Sequence, residues 1–148
     1  MRRLTALLPL CLLAACAPSA HVLVAADGTR SFAPCERAPR CAVSLAEPGP
    51  GGDTVAPLVA GTDAESAHAK LLKVLRAQPR CEILEDDGRY VHAEYRTALM
   101  RYRDDVEFLV RDDGTVDVRS ASRIGWYDWE TNRERIEALR AALAAGDP

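Results

Sequence analysis

Large aromatic side chains are scarce in this chain: two Trp, four Tyr and two Phe make up 5% of its 148 residues. A core must therefore be built from Leu, Val, Ile and Ala. No run of lysine and arginine occurs, and the formal charge is −3. Nucleic acid needs a basic face against its phosphates, so no nucleic-acid partner is expected. The three histidines, His21, His68 and His92, are scattered with no ligand spacing to join them, so no metal site is expected. Chemical motifs are missing as well. There is no Gly-x-Ser-x-Gly elbow, no Ser-x-x-Lys, no His-Glu-x-x-His and no phosphate-cradling loop. No catalytic residue is therefore assigned and no cofactor is expected. No apolar run is long enough for a retained membrane span.

What is present begins at the N-terminus. Arg2 and Arg3 precede an apolar run over residues 4–13, interrupted by Thr5 and Pro9, and small residues follow. Residues 1–15 read as a secretory signal. Leu13-Ala14-Ala15-Cys16 resembles the lipobox of bacterial lipoproteins. That resemblance implies cleavage before Cys16, diacylation of its sulfur and acylation of the new amine. Two or three acyl chains anchor stably where one binds only marginally. The bilayer is then the expected partner, through acylated Cys16. The resemblance places the protein in the cell envelope facing the periplasm, and Ala17 favours the outer membrane. The plainer alternative is ordinary cleavage after Ala15, with Cys16 a bystander. Losing Arg2 and Arg3 leaves 17 basic against 22 acidic residues, a charge of −5.

Residues 16–56 are rich in Ala, Pro and Gly and read as a lipidated N-terminus and tether. Glu47-Pro48-Gly49-Pro50-Gly51-Gly52-Asp53 is not expected to hold regular structure. Cys35 and Cys41 lie within this tether. In an oxidising compartment such a close pair closes a small loop. Cys81 is left as the odd thiol, either a buried small apolar residue or a partner for one of the other two.

Residues 57–148 read as the globular domain. Thr62 and Glu65 have capping-box spacing, and Ala67, Leu71, Val74 and Leu75 follow at helical intervals until Pro79. A short strand over residues 81–85 leads to the turn Asp86-Asp87-Gly88. In residues 90–97, Val91, Ala93 and Tyr95 share one face, with Tyr90, His92, Glu94 and Arg96 on the other. Val106, Phe108 and Val110 oppose Asp105, Glu107 and Arg111, and after a second Asp-Asp-Gly turn Val116 and Val118 oppose Asp117 and Arg119. Short turns imply antiparallel neighbours. Thr131 and Glu134 offer a second capping box, and Ile136, Leu139 and Leu143 a second apolar stripe. The expected fold class is α+β: a four-stranded, mainly antiparallel sheet with two helices packed on one face and the other face wet.

The residues richest in chemistry are Asp105, Glu107, Arg119, Ser120, Ser122, Arg123, Asp128, Asn132 and Arg133. Three readings apply. Arginine forks and hydroxyls suit an anionic ligand or an envelope protein partner, helped by the dipole of the last helix. The same groups form an internal clasp if the arginines pair with Asp105, Glu107 or Asp128. Asp105 and Glu107, on one strand face, could also act as acid and base or hold a hard cation in a hydrolase. The expected function is a membrane-anchored envelope accessory or binding module, with the cation-dependent enzyme as the alternative.

Several of these residues carry a family resemblance. They are Asp104-Asp105-Val106-Glu107-Phe108, then Val118-Arg119-Ser120-Ala121-Ser122-Arg123-Ile124-Gly125, then Asp128, Asn132-Arg133 and Arg135-Ile136. The stretch resembles the domain of unknown function numbered 1499, found in bacterial and plastid proteins. The likeness covers roughly residues 35–143 and implies a fold but no activity. Glu130 stands where that family usually has glycine, and Arg40 and Ala42 replace its usual asparagine and serine around the second cysteine.

Overall fold

Strict alternation over residues 90–122 builds the centre of the molecule. The computed structural model describes residues 21–37, 40–125 and 130–146. Cys16 and Asp128 lie outside them. The elements are β1 (Val22–Val24), β2 (Arg30–Phe32), β3 (Cys41–Val43), β4 (Gly52–Thr54), β5 (Leu58–Val59), α1 (Ala64–Ala77), β6 (Cys81–Asp86), β7 (Tyr90–Arg96), β8 (Arg103–Val110), β9 (Thr115–Ser122) and α2 (Thr131–Ala144). No helix among the described residues is long and apolar enough to cross a membrane.

The meander β6-β7-β8-β9 is antiparallel throughout, as the short turns require. The sheet is larger than four strands. Among the described residues it has seven, in the order β4-β3-β9-β8-β7-β6, with β5 also on β9, and β1-β2 form a separate two-stranded sheet. The eight-residue β9 makes the extension possible. Its Ser122 end pairs with β3 and its Thr115 end with β5, so two short strands share one long edge.

The stretch expected to be a tether is thus built into strands from residue 22 onward. Its glycines serve close packing. A Cβ on Gly52 would stand 2.8 Å from the sulfur of Cys35, and one on Gly51 would strike the Glu36 carbonyl. Cys41 N–H donates to the Gly51 carbonyl at 3.2 Å, and Gly52 N–H to that of Gly49 at 3.1 Å. Cys35 and Cys41 form a disulfide with Cα atoms 6.0 Å apart, and Cys81 is a free thiol.

Both sheet faces are covered. On one, Leu71 and Leu75 of α1 and Ile136, Leu139 and Leu143 of α2 pack with Val91, Val106, Phe108, Val116 and Val118. Burying each such side chain contributes about 1.5–3 kcal/mol. The face expected to be wet carries a second core of Phe32, Cys35, Cys41, Val43, Tyr90, Leu109 and Ala121. The β1-β2 hairpin and the disulfide loop supply its lid.

Both helix starts differ from the sequence reading. The N-cap of α1 is Asp63, whose carboxylate accepts from Ser66 N–H at 2.8 Å while Ser66 Oγ accepts from Asp63 N–H at 3.3 Å. Thr62 instead hydrogen-bonds Asp63 at 3.2 Å. Before α2, Glu130 takes the left-handed conformation at φ 63° and offers no side-chain cap. Thr131 is already inside the helix. A left-handed turn here fits the glycine of the resembling family, which adopts it without a Cβ penalty.

Candidate functional site

Side chains alternate along a strand, so the predicted cluster divides across the sheet. Ser120 and Ser122 point to the helix side; Arg119 and Arg123 point to the hairpin side.

On the helix side the first turn of α2 is the hub. Asn132 is buried. Its side-chain oxygen accepts from Ser120 Oγ and from Arg135 Nη1, each at 2.8 Å. Its amide nitrogen donates to the Arg40 carbonyl at 3.1 Å and to Ser122 Oγ at 3.3 Å. Arg135 also pairs with buried Asp104 and lies 5.1 Å from the Tyr95 ring centroid. Arg133 donates to the Thr54 carbonyl at 3.1 Å, tying α2 to β4. This side joins β3, β4, β8, β9 and α2 through their polar groups.

On the hairpin side lie two adjoining networks. Glu107 is 1% exposed and takes four contacts. His21 donates its backbone N–H at 2.9 Å and its Nδ1–H at 3.2 Å, Tyr90 its hydroxyl at 2.8 Å, and Arg119 its Nη1 at 3.0 Å. Burial pushes the Glu107 carboxyl up, but these hydrogen bonds and the Arg119 charge outweigh it and hold it below its ordinary value. The Tyr90 hydroxyl is pushed up by burial and by the adjacent carboxylate. The Arg119 Nε finds no partner among the described residues.

Asp105 heads the second network. Arg123 grips it with Nε and Nη2, both at 2.8 Å, and His92 donates Nε2–H at 2.8 Å. Burial opposes ionisation of Asp105, yet Arg123 and His92 hold it well below the usual carboxylate range. Buried Glu94 continues the chain, ion-paired with Arg96 at 2.8 Å, Arg123 at 3.1 Å and Arg103 at 3.4 Å.

The arrangement is therefore a set of paired charges, with Arg119 Nε left without a partner among the described residues. Both guanidinium arms that Arg123 turns to Asp105 are engaged, and Arg119 is bound to Glu107. Asp105 and Glu107 share a face, but their oxygens point at protein donors. Among the described residues no group of three His, Cys, Asp or Glu is arranged to hold a metal ion. The predicted cluster left out His21, Tyr90, His92, Asp104 and Arg135, and Glu94 was read only as part of a charged, ion-paired sheet face. Tyr90, His92 and Glu94 carried a usable signal, since alternation put them on the face of their neighbours Asp105 and Glu107. Arg135 stands three residues beyond Asn132, a helical neighbour. His21 sat in the supposed tether, where nothing local marked it.

No curated protein and no solved structure matches the chain. A family model does, over residues 31–143. With three-quarters of its length matched, including the disulfide loop, the meander and α2, the chain belongs to the family described as Protein of unknown function (DUF1499).

Proposed function

We propose that this chain is a lipid-anchored accessory or binding domain of the bacterial cell envelope, held to the outer membrane by acylated Cys16 and facing the periplasm. The observation that carries the proposal is Leu13-Ala14-Ala15-Cys16 directly after the apolar run. The buried Cys35–Cys41 disulfide suits an oxidising compartment and supports it. In this reading the Arg/Ser/Asp cluster is an internal clasp that fixes the hairpin and α2 to the sheet. An anion at Arg119 and Arg123 would have to displace Glu107, Glu94 and Asp105 from a partly buried site. The same saturation weighs against hydrolysis or cation chemistry at Asp105 and Glu107. Binding to an envelope partner therefore falls to the outer surface. The test is fractionation of cells expressing the Cys16→Ser chain. The parent should sediment with membranes and the variant, once cleaved, should move to the soluble periplasmic fraction. Persistent membrane association of the cleaved variant would contradict the anchor.

A further inference from the structure

The two ends of the sheet differ in chemistry. At one end lie the hairpin tip and the turns around residues 87 and 113, where Asp27, Asp86, Asp87, Asp112 and Asp113 outnumber Arg30, Arg89 and Arg111, which pair with Asp87, Asp112 and Asp117; the exposed Val24 and Val59 also lie toward this end. At the other end lie the loop of residues 97–102 and the residues after β9. Four of the eight large apolar side chains exposed among the described residues gather there: Leu99 at 89%, Met100 at 61%, Ile124 at 58% and Tyr102 at 44%. Arginines surround them. Arg101 and Arg80 have no acidic partner among the described residues, and Arg96, Arg103 and Arg123 share the acids Glu82, Glu94 and Asp105. A cavity of about 370 Å³ opens beside the loop, lined by Arg80, Arg96, Arg101 and Thr97 together with Glu82. The ends of the loop are tied together: Thr97 N–H donates to the Tyr102 carbonyl at 2.9 Å, and Tyr102 N–H to Thr97 Oγ1 at 2.9 Å.

The anchor geometry points to the same end. Strand β1 runs from the level of Glu107, which His21 contacts, toward that of Arg111, whose Nη1 donates to the Arg30 carbonyl beside Val24. Its N-terminal end is thus the one nearer Arg103. Five chain steps lead from Cys16 to His21, a reach of at most about 18 Å. Four residues of β8 from Glu107 to Arg103 span about 13 Å. A short acyl tether therefore reaches the level of the basic, apolar end, while the acidic turns lie farther off and face away from an anionic surface.

We infer that the end of the sheet bearing Leu99, Met100, Tyr102 and Ile124 docks on the surface of an anionic bilayer, with lipid phosphates against Arg80, Arg96 and Arg101. Leu99 and Met100 enter the boundary between headgroups and acyl chains. The arginines add electrostatic attraction, about five-fold in partition for each one near the surface. This docking rests on the lipid-anchor reading, which supplies the proximity. It fixes the orientation of the domain and leaves the acidic end open toward the periplasm.

The test compares amide hydrogen exchange of the mature acylated chain on protein-free vesicles with that of the Cys16→Ser chain in solution. Vesicles of phosphatidylcholine alone and of phosphatidylcholine with phosphatidylglycerol are both used. Exchange over residues 98–101 should slow several-fold on the anionic vesicles and less on the neutral ones. The turns around residues 87 and 113 should be unchanged. The exposed double variant Leu99→Ser/Met100→Ser should lose the slowing while still floating with the vesicles. Equal exchange with and without vesicles overturns the docking, as does protection seen only in native envelopes, which would assign the loop to a protein. Failure of the parent to carry an acyl group overturns the anchor instead. The docking is then judged on the Cys16→Ser chain, whose cosedimentation with phosphatidylglycerol vesicles must fall in Leu99→Ser/Met100→Ser and in Arg101→Ser. No such cosedimentation overturns it.

Discussion

Glu107→Gln should be among the most damaging isosteric changes available in this protein. The side chain is 1% exposed and its Arg119 partner 5%. Their charged atoms are 3.0 Å apart. At an effective dielectric near 20 that separation corresponds to an attraction of about 5 kcal/mol, most of it offset by desolvation of the two ions. Glutamine keeps the shape but leaves a guanidinium buried with no counter-charge, and turns a donor toward another donor. Breaking one side of a buried pair costs about 3–5 kcal/mol. In a domain of this size that lowers Tm by roughly 10–20 °C. The assay is urea unfolding of the oxidised Cys16→Ser chain, with and without the substitution. The midpoint should fall with an unchanged m-value. A double variant, Glu107→Gln with Arg119→Met, removes both ions and should recover a large part of the loss. A cost below about 1 kcal/mol for Glu107→Gln, or no recovery in the double variant, would refute the clasp as a buried coupled pair.

Three further outcomes follow from the same geometry. Asp105 and Glu107 are both held below their ordinary values. Their contribution is present above the unfolded carboxyl range and is lost as pH falls through the folded values. Urea midpoints should therefore hold above about pH 5 and decline below about pH 4, and Asp105→Asn should flatten that decline. Replacing Cys35 and Cys41 together by alanine opens a loop with sequence separation 6, and chain entropy puts the loss at about 2 kcal/mol, measurable in the same titration. Asn132→Ala strands the donors of Ser120 and Arg135 and the buried end of α2; a loss of about 2–3 kcal/mol is expected by thermal unfolding, against near-neutrality for an exposed control such as Glu137→Ala.

The meander was legible because its strands are seven and eight residues long with one face apolar, so parity gave both faces of β7, β8 and β9. The two Asp-Asp-Gly turns set the direction of β7 against β6 and of β9 against β8. Residues 22–59 were legible only in part: residues 21–24 read as a short extended piece, which is β1, and Cys35–Cys41 as a pair, but the sheet pairing was not. Their strands are two or three residues long and are held by backbone pairing to β9 and to each other, which leaves no periodic pattern. Glycines read as breakers were there for contact with Cys35. Because that pairing was missed, the second sheet face looked exposed, and the residues on it looked like a surface cluster. The division of that cluster was available in the sequence. Arg119 and Ser120 are adjacent in a strand and must face opposite ways. The pairing of Glu107 with His21 was not available, since it depends on where the hairpin folds back.

The measurement that tests the account most directly is the intact mass of the mature protein, extracted mildly from native membranes without reductant. The expected mass is that of a chain beginning at Cys16 that carries a diacylglyceryl thioether and an N-acyl group, less two hydrogens for Cys35–Cys41. A lipid-free chain, or one beginning at any other residue, would contradict it.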